Sequence, residues 1–196
     1  LSLAAKLPSK PTDKDCASAG SEVHVAMSGS EHLVAVSAGI CPIEVFDLRN
    51  REQPRFYSGH RGDVNSLDFS PDETALVASS QFYDVDIWNL AGGKPRDINH
   101  HGSPYVTSAK FSPSGKSIVS VSDDNSLIVT DVASGQLVTK LDYRSSLLDL
   151  AVIKTARGTL MATGSGAGDV DVAPYFENGN DVISYTKSVL HDISAQ

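Results

Sequence analysis

Residues Leu76–Asn89 read Leu-Val-Ala-Ser-Ser-Gln-Phe-Tyr-Asp-Val-Asp-Ile-Trp-Asn, an apolar strand, a short turn and a second apolar strand. The same order recurs without a gap every 42 residues, in Val34–Asp47, Ile118–Asp131 and Leu160–Ala173. A period of about 40–45 residues with two such strands per unit is typical of a propeller blade. The repeat therefore predicts an all-β propeller whose blades are four-stranded antiparallel sheets.

The second repeat shows all the strands of one blade. Val64–Phe69 alternates apolar and polar residues, as a half-buried strand does. Ala75–Ser79 and Val85–Trp88 follow as further strands, and a short outer strand is expected around Arg96–Asn99. The apolar positions predicted for its core are Val64, Leu67, Phe69, Val77, Ile87 and Trp88. The same order in the other repeats predicts blades over about residues 21–57, 58–99, 100–141 and 142–185.

The two ends of the chain are predicted to belong to flanking blades. Leu190 lies 42 residues after Leu148, so residues 189–196 are expected to begin a fifth blade. Residues 1–20 are expected to supply the outer strand of a preceding blade and a loop. Four blades with a stub at each end predict an arc that does not close on itself. We expect a piece of a larger ring, since seven blades would need roughly 290 residues.

Composition and charge exclude several classes of function. The net charge of −8 would repel a phosphate backbone, so nucleic acid is not an expected partner. No apolar run approaches the about 18 residues of a membrane span. Cys16 and Cys41 are interpreted as thiols of a reducing compartment, and no residue spacing indicates a metal or cofactor site. These observations predict a cytoplasmic or nuclear protein.

Short motifs recur at repeat-equivalent positions. They are Gly59-His60, Phe69-Ser70-Pro71 and Ile87-Trp88-Asn89-Leu90 in the second repeat, Phe111-Ser112-Pro113 and Ser122-Asp123-Asp124 in the third, and Phe46-Asp47-Leu48 in the first. These motifs resemble the WD40 family. The resemblance implies a buried network of a loop His, a strand Ser or Thr, a turn Asp and a Trp. No repeat has the full set, because Phe82 replaces the Asp in the second and Thr130 replaces the Trp in the third. We therefore expect blades held mainly by apolar packing.

The resemblance also implies a binding surface. In the family, the loops before the first strand of a blade and between its second and third strands meet on one face. On this chain that face would carry Arg61, Asp63, Phe82, Tyr83, His101, Tyr105 and Arg144. Aromatic and Arg side chains concentrate binding energy at protein interfaces. The sequence therefore predicts a non-enzymatic scaffold that docks a basic or apolar segment of another protein, with a chain that completes the ring as a further partner.

Three alternatives remain open at this stage. The stretches His101–Ser112 and Val119–Asp124 are similar to the γ-tubulin-recruiting centrosomal type of WD40 protein. Phe46-Asp47-Leu48-Arg49 resembles the Trp-Asp-x-Arg box of substrate receptors for cullin-4 ubiquitin ligases. A hydrolase built on a propeller would need perturbed carboxylates in a deep central pocket, and the sequence shows no recurring acid and base pair.

Overall fold

The computed structural model describes residues 22–50 and 53–177, and these residues form four antiparallel sheets. Each sheet is one blade, with its strands paired in chain order. Blade 1 comprises β1 (Val23–Met27), β2 (Leu33–Ala38), β3 (Ile43–Asp47) and β4 (Arg55–Tyr57). Blade 2 comprises β5 (Val64–Phe69), β6 (Ala75–Ser80), β7 (Asp84–Asn89) and β8 (Arg96–Asp97). Blade 3 comprises β9 (Val106–Phe111), β10 (Ser117–Ser122), β11 (Ser126–Asp131) and β12 (Leu137–Asp142), and blade 4 comprises β13 (Leu147–Thr155), β14 (Gly158–Ser165) and β15 (Val170–Tyr175).

These sheets confirm the all-β propeller architecture. The outer strand predicted for blade 4 around Val182–Tyr185, and both end stubs, lie outside the described residues, so those expectations stay predictions. Strand pairing within the described residues joins no sheet to another, which agrees with an unclosed arc. No helix in the described part of the chain has the length and apolarity needed to cross a membrane. The outer strand β8 is shorter than predicted because the Asp97 carboxylate accepts a hydrogen bond from the Asn99 amide and starts a turn.

The hairpin between the first and second strands is built the same way in three blades. In blade 2 the Ser70 amide donates to the Ala75 carbonyl, and the Ala75 amide donates to Ser70 Oγ at 2.9 Å. Ser28 and Ser112 make the same pair of bonds in blades 1 and 3. A serine hydroxyl can satisfy a backbone group that the turn leaves unpaired. The repeated serine therefore fixes the strand register at the same place in each blade.

The core lies between blades, because each sheet buries one face against its neighbour. One apolar cluster joins blades 1 and 2, a second joins blades 2 and 3, and a third joins blades 3 and 4. All six residues predicted for the core of blade 2 are buried, and Trp88 is 1% exposed. Its indole Nε1 donates to the Ser58 carbonyl at 3.0 Å, and the His60 ring meets it edge-on at 6.2 Å. Trp88 therefore anchors the first inter-blade core.

The innermost strands of consecutive blades lie side by side and surround a central opening. The pairing of the first and second strands is irregular at equivalent places in blades 2, 3 and 4. At two of these places a side chain reaches the next blade: Asn65 Nδ2 donates to the Val106 carbonyl at 2.9 Å, and Thr107 Oγ1 donates to the Leu147 carbonyl at 2.8 Å. Bulges that redirect a side chain in this way are common next to functional sites. Here they tie the inner strands together.

One expectation from the cysteines is wrong. Cys41 is buried at the turn between β2 and β3 and is disulfide-bonded, not a free thiol. The cysteines therefore give no support to a reducing compartment.

Candidate protein-binding face

In three blades the turn between the second and third strands folds back against the residue that leads into the first strand. The Gln81 amide donates to the Asp63 carbonyl at 3.0 Å, and the Asp123 amide donates to the Tyr105 carbonyl at 3.2 Å. The Gly166 amide makes the equivalent bond to Ser146 in blade 4. Both kinds of loop therefore lie at the same end of the sheets. We call this end the top face; it comprises residues 58–63, 81–83, 99–105, 123–125, 143–146 and 165–169.

Loops of neighbouring blades also touch on the top face. The Tyr83 amide donates to the Pro104 carbonyl at 3.0 Å, and the Tyr143 amide donates to the Asn125 carbonyl at 2.7 Å. The first contact brings Phe82 and Tyr83 beside Tyr105. The second places Arg144 at the next junction between blades. The structure thus positions these predicted residues along one run of adjoining loops.

Three aromatic side chains form an exposed patch on this face. Phe82, Tyr83 and Tyr105 are 58%, 46% and 48% exposed. Phe82 and Tyr83 adopt left-handed backbone angles, with φ of 66° and 70°, which bulky residues rarely do. Phe82 lies against Gly62, where an added Cβ would come within 2.6 Å of Phe82 Cδ2. We call Phe82, Tyr83 and Tyr105 the aromatic patch. The strained turn at Phe82 and Tyr83 keeps two of its rings exposed to solvent.

Arg61 borders the aromatic patch and is held by two carboxylates. Its Nη2 lies 2.6 Å from Asp84 Oδ1 and 3.2 Å from Asp97 Oδ2, and the Arg61 amide donates to Asp84 Oδ2 at 2.7 Å. The Arg61 side chain is still 62% exposed, whereas Asp84 is buried. Asp63, which is half-buried, contributes its carbonyl to the turn described above. Asp84 and Asp97 were not predicted as partners of Arg61, because the repeat alignment puts Phe82 at the turn position where the family has an Asp.

His101 differs from the other predicted residues because its side chain is fully buried. Its Nε2 lies 2.9 Å from Ser120 Oγ, its Nδ1 lies 2.9 Å from Ser126 Oγ, and Asp124 Oδ1 is 3.3 Å from Nδ1. Burial lowers the pKa of His101, although the neighbouring Asp124 opposes the effect. His101 therefore holds blade 3 together through a His, Ser and Asp network without a Trp, and we leave it out of the proposed binding surface.

Arg144 is exposed among acidic residues. A cavity of about 420 Å³ is lined by Arg144 together with Asp142, Asp169 and Asp171. Tyr105, in contrast, lines the central opening, where a cavity of about 440 Å³ also contacts Asn65 and Thr107. The top face therefore combines exposed aromatic rings with an excess of carboxylates. Within the ranges that the structure describes, no group of three His, Cys, Asp or Glu side chains could hold a metal ion.

Asp86 is a buried carboxyl beneath this face. Burial raises its pKa to about 7, with the nearby charges of Asp84 and Asp97 adding to the effect and Arg61 opposing it. Asp86 is 4% exposed and lies on β7, and it is not among the residues that line the central opening. Asp86 is therefore a buried carboxyl of blade 2 that is set apart from the central opening.

Asp86→Asn is expected to raise the melting temperature more at alkaline pH than at acidic pH. Because the folded pKa lies above the ordinary value of 3.8, the folded chain binds the proton more tightly than the unfolded chain. Stability contributed by this group is thus lost progressively as pH rises from about 3.8 to about 7, and an amide avoids that loss. We expect a gain of about 4–8 °C near pH 8.5 and a clearly smaller gain near pH 5, measured by circular dichroism. An equal gain at both pH values would contradict this role for the charge.

Comparisons with known proteins agree with the repeat. The family model described as WD domain, G-beta repeat (WD40) matches residues 51–84 and 93–131. Protein tipD of Dictyostelium discoideum is 28% identical over 163 residues, which are 82% of this chain and 26% of that protein. Small ribosomal subunit protein RACK1y of Oryza sativa subsp. japonica is 33% identical over 43% of this chain and 26% of its own. The tRNA (guanine-N(7)-)-methyltransferase non-catalytic subunit wuho of Anopheles gambiae is 29% identical over 74% of this chain and 38% of its own. The chain spans about a quarter of the length of tipD and of RACK1y.

Proposed function

Because the chain carries WD40 repeats, we propose that it is a non-enzymatic scaffold that docks other proteins on its top face. The observation that carries the proposal is the aromatic patch. Its three rings sit on adjoining loops of two blades, and each is about half exposed. Exposed aromatic surface next to an Arg is characteristic of interface hot spots, where a partner excludes water around the rings. A rigid scaffold beneath such loops is the usual arrangement for binding.

The charges beside the aromatic patch favour a basic or apolar docking segment. Arg61 is matched by Asp84 and Asp97, so its positive charge is largely compensated. Asp142, Asp169 and Asp171 surround Arg144. Together with the net charge of −8, these carboxylates would attract Lys or Arg and repel acidic competitors. A partner that buries an apolar residue on the patch and places a basic residue beside it fits both features.

The two end blades support a second kind of partner, namely further propeller strands that complete the ring. On blade 1, Val23, Val25 and Met27 are each about 60% exposed. On blade 4, Ile153, Val170 and Val172 are 58%, 72% and 63% exposed. Equivalent faces between the inner blades are buried in apolar clusters. Contiguous apolar surface of this kind favours coverage by another protein segment.

The likeness to a ribosomal subunit protein supports a cytoplasmic or nuclear location.

Tyr83→Ala and Arg144→Ala are each expected to reduce partner capture from a cell lysate by roughly tenfold. Both side chains are exposed in loops, so their removal opens no cavity and should change the melting temperature little. The matched controls are Phe56→Ala, which removes an aromatic ring 52% exposed on β4, and Arg157→Ala, in the turn between β13 and β14. Capture is measured by quantitative mass spectrometry of the retained proteins, with circular dichroism as the folding control.

The proposal requires that the two controls keep the partner set that the two top-face variants lose. If the folded Tyr83 and Arg144 variants both retain the wild-type set, the top face is not the docking surface. If all four variants lose partners equally, the loss reflects a general property of the surface, and the proposal fails as well.

A further inference from the structure

A second concave surface lies away from the top face, between blades 1 and 2. Its cavity of about 560 Å³ lies within the range that holds small ligands or a few peptide side chains. Leu33, Val45, Tyr57 and Leu90 give it an apolar lining. Charged and neutral polar side chains from strand ends and turns contribute most of the rest. We call this cavity the inter-blade groove.

The carboxylates of the inter-blade groove already have hydrogen-bond donors within the chain. Asp47 accepts from the Arg49 amide at 2.9 Å and from Asn50 Nδ2 at 3.1 Å. Glu73 accepts from the Ser30 amide at 2.7 Å and from Ser30 Oγ at 2.8 Å, and His32 Nε2 lies 3.5 Å away. These bonds lower the pKa of both carboxyls, the Arg49 amide being the largest cause for Asp47 and the Ser30 hydroxyl for Glu73. Both carboxyls are therefore ionised at neutral pH, and both already accept hydrogen bonds from within the chain.

The two arginines of the groove use only some of their N–H donors in hydrogen bonds with the described residues. Arg55 Nη1 donates to the Leu90 carbonyl at 3.1 Å, and among the described residues the guanidinium forms no ion pair with a carboxylate. Arg49 is 65% exposed and meets Asp47 through Nε alone, at 3.4 Å. A guanidinium has five N–H donors and favours a carboxylate that can accept two of them. The lining has two guanidiniums and two carboxylates, and Arg55 is the one of these four charged groups with no ion-pair partner among the described residues.

From this arrangement we propose that the inter-blade groove binds a short peptide segment of another protein that carries an acidic residue beside an aliphatic one. The carboxylate of the peptide pairs with Arg55, with Arg49 close by. The aliphatic side chain packs on Leu33, Val45 and Leu90. This partner has the opposite charge to the one proposed for the top face, so the propeller offers two surfaces that do not compete for one ligand.

The interface between blades 2 and 3 supplies a matched control. There Arg96, on the outer strand of blade 2, donates to the carbonyls of Val132 and Ala133, as Arg55 does to Leu90 one repeat earlier. Loss of Arg55 and loss of Arg96 therefore remove equivalent hydrogen bonds between blades. Only Arg55 lines the inter-blade groove. A pair of variants at these residues separates binding from blade packing.

The test uses a phage-displayed library of random peptides of about 12 residues, selected on the folded chain. Enriched peptides are synthesised with a fluorophore, and their affinities are measured by fluorescence polarisation. We expect enrichment of Asp or Glu within a few residues of Leu, Ile or Val. Arg55→Glu should weaken binding of such a peptide at least tenfold, and Arg96→Glu less than twofold. Replacing the acid of the peptide by Lys should restore binding to Arg55→Glu.

Two further variants make the outcome decisive. Ala91→Trp, at an exposed position that lines the groove, should block the peptide by filling the space. Tyr83→Ala should leave peptide binding unchanged, whatever its effect on the top face. The proposal is overturned if no acidic and aliphatic peptide is enriched, if Arg96→Glu weakens binding as much as Arg55→Glu, or if Ala91→Trp has no effect. A peptide that loses affinity with Tyr83→Ala binds the top face, which also overturns it.

Discussion

Trp88→Ala is expected to lower the free energy of unfolding by about 3–5 kcal/mol. The side chain is 1% exposed and faces Leu76 across the β6 and β7 pair, inside the apolar cluster that joins blades 1 and 2. Its removal leaves a large cavity and also leaves the Ser58 carbonyl without its indole donor. Because stabilities of natural domains are about 5–15 kcal/mol, this single change would remove a large share of the total.

Urea unfolding followed by circular dichroism measures the effect, since Trp88 is the single tryptophan and its fluorescence disappears with the variant. Trp88→Phe is the matched control, because it keeps most of the apolar volume and removes the indole N–H. We expect it to cost about 1–2 kcal/mol. If Trp88→Ala unfolds at the wild-type urea concentration, the residue does not carry the first inter-blade core.

His101→Ala is expected to cost about 2–4 kcal/mol by a different mechanism. The imidazole is the shared partner of Ser120 and Ser126 and lies beside Asp124, and all of these groups sit in or near the core of blade 3. Deleting the imidazole leaves the hydroxyl groups of Ser120 and Ser126 without this hydrogen-bond partner and also opens a cavity. The lowered pKa adds a pH dependence: the wild-type chain should lose stability as pH falls below about 6.5, where the unfolded histidine takes up a proton first.

His100→Ala provides the control for this prediction. His100 is adjacent in sequence but exposed, and its Nε2 lies 2.9 Å from the Gly135 carbonyl. We expect that variant to stay within about 0.5 kcal/mol of wild type. Urea titrations of both variants at neutral pH and near pH 5 test the point. Equal effects at His100 and His101, or an unchanged pH dependence in His101→Ala, would be inconsistent with a structural network.

The strands could be predicted from sequence because they rest on local chemistry repeated four times. Val64–Phe69 alternates with period two, and the serine turns recur at a fixed offset, so β5, β9 and their partners appear where the repeat places them. The buried position of Trp88 also follows from the repeat. Because the same apolar pattern recurs every 42 residues, the strand assignment of each repeat can be checked against the others, which reduces the ambiguity of short apolar runs.

The site was harder to predict, because it depends on which side chains reach one another across loops. The repeat puts His101 on a loop, yet only the folded arrangement of Ser120 and Ser126 buries it. The ion pairs of Arg61 and the inter-blade groove likewise join residues from different strands and blades. The recurrence of an Arg on the outer strand, at Arg55 and Arg96, is the one signal in the sequence that could have pointed to the groove.

The side-chain hydrogen bonds between inner strands run in one direction around the propeller. Asn65 and Thr107, the bulged residues of β5 and β9, each donate a hydrogen bond to a carbonyl of the following blade. The bulged residue of β13 is Leu148, whose side chain is 54% exposed and has no N–H or O–H to donate. The series of donors therefore ends at blade 4, and a strand beside β13 would meet an apolar side chain there instead of a hydrogen-bond donor.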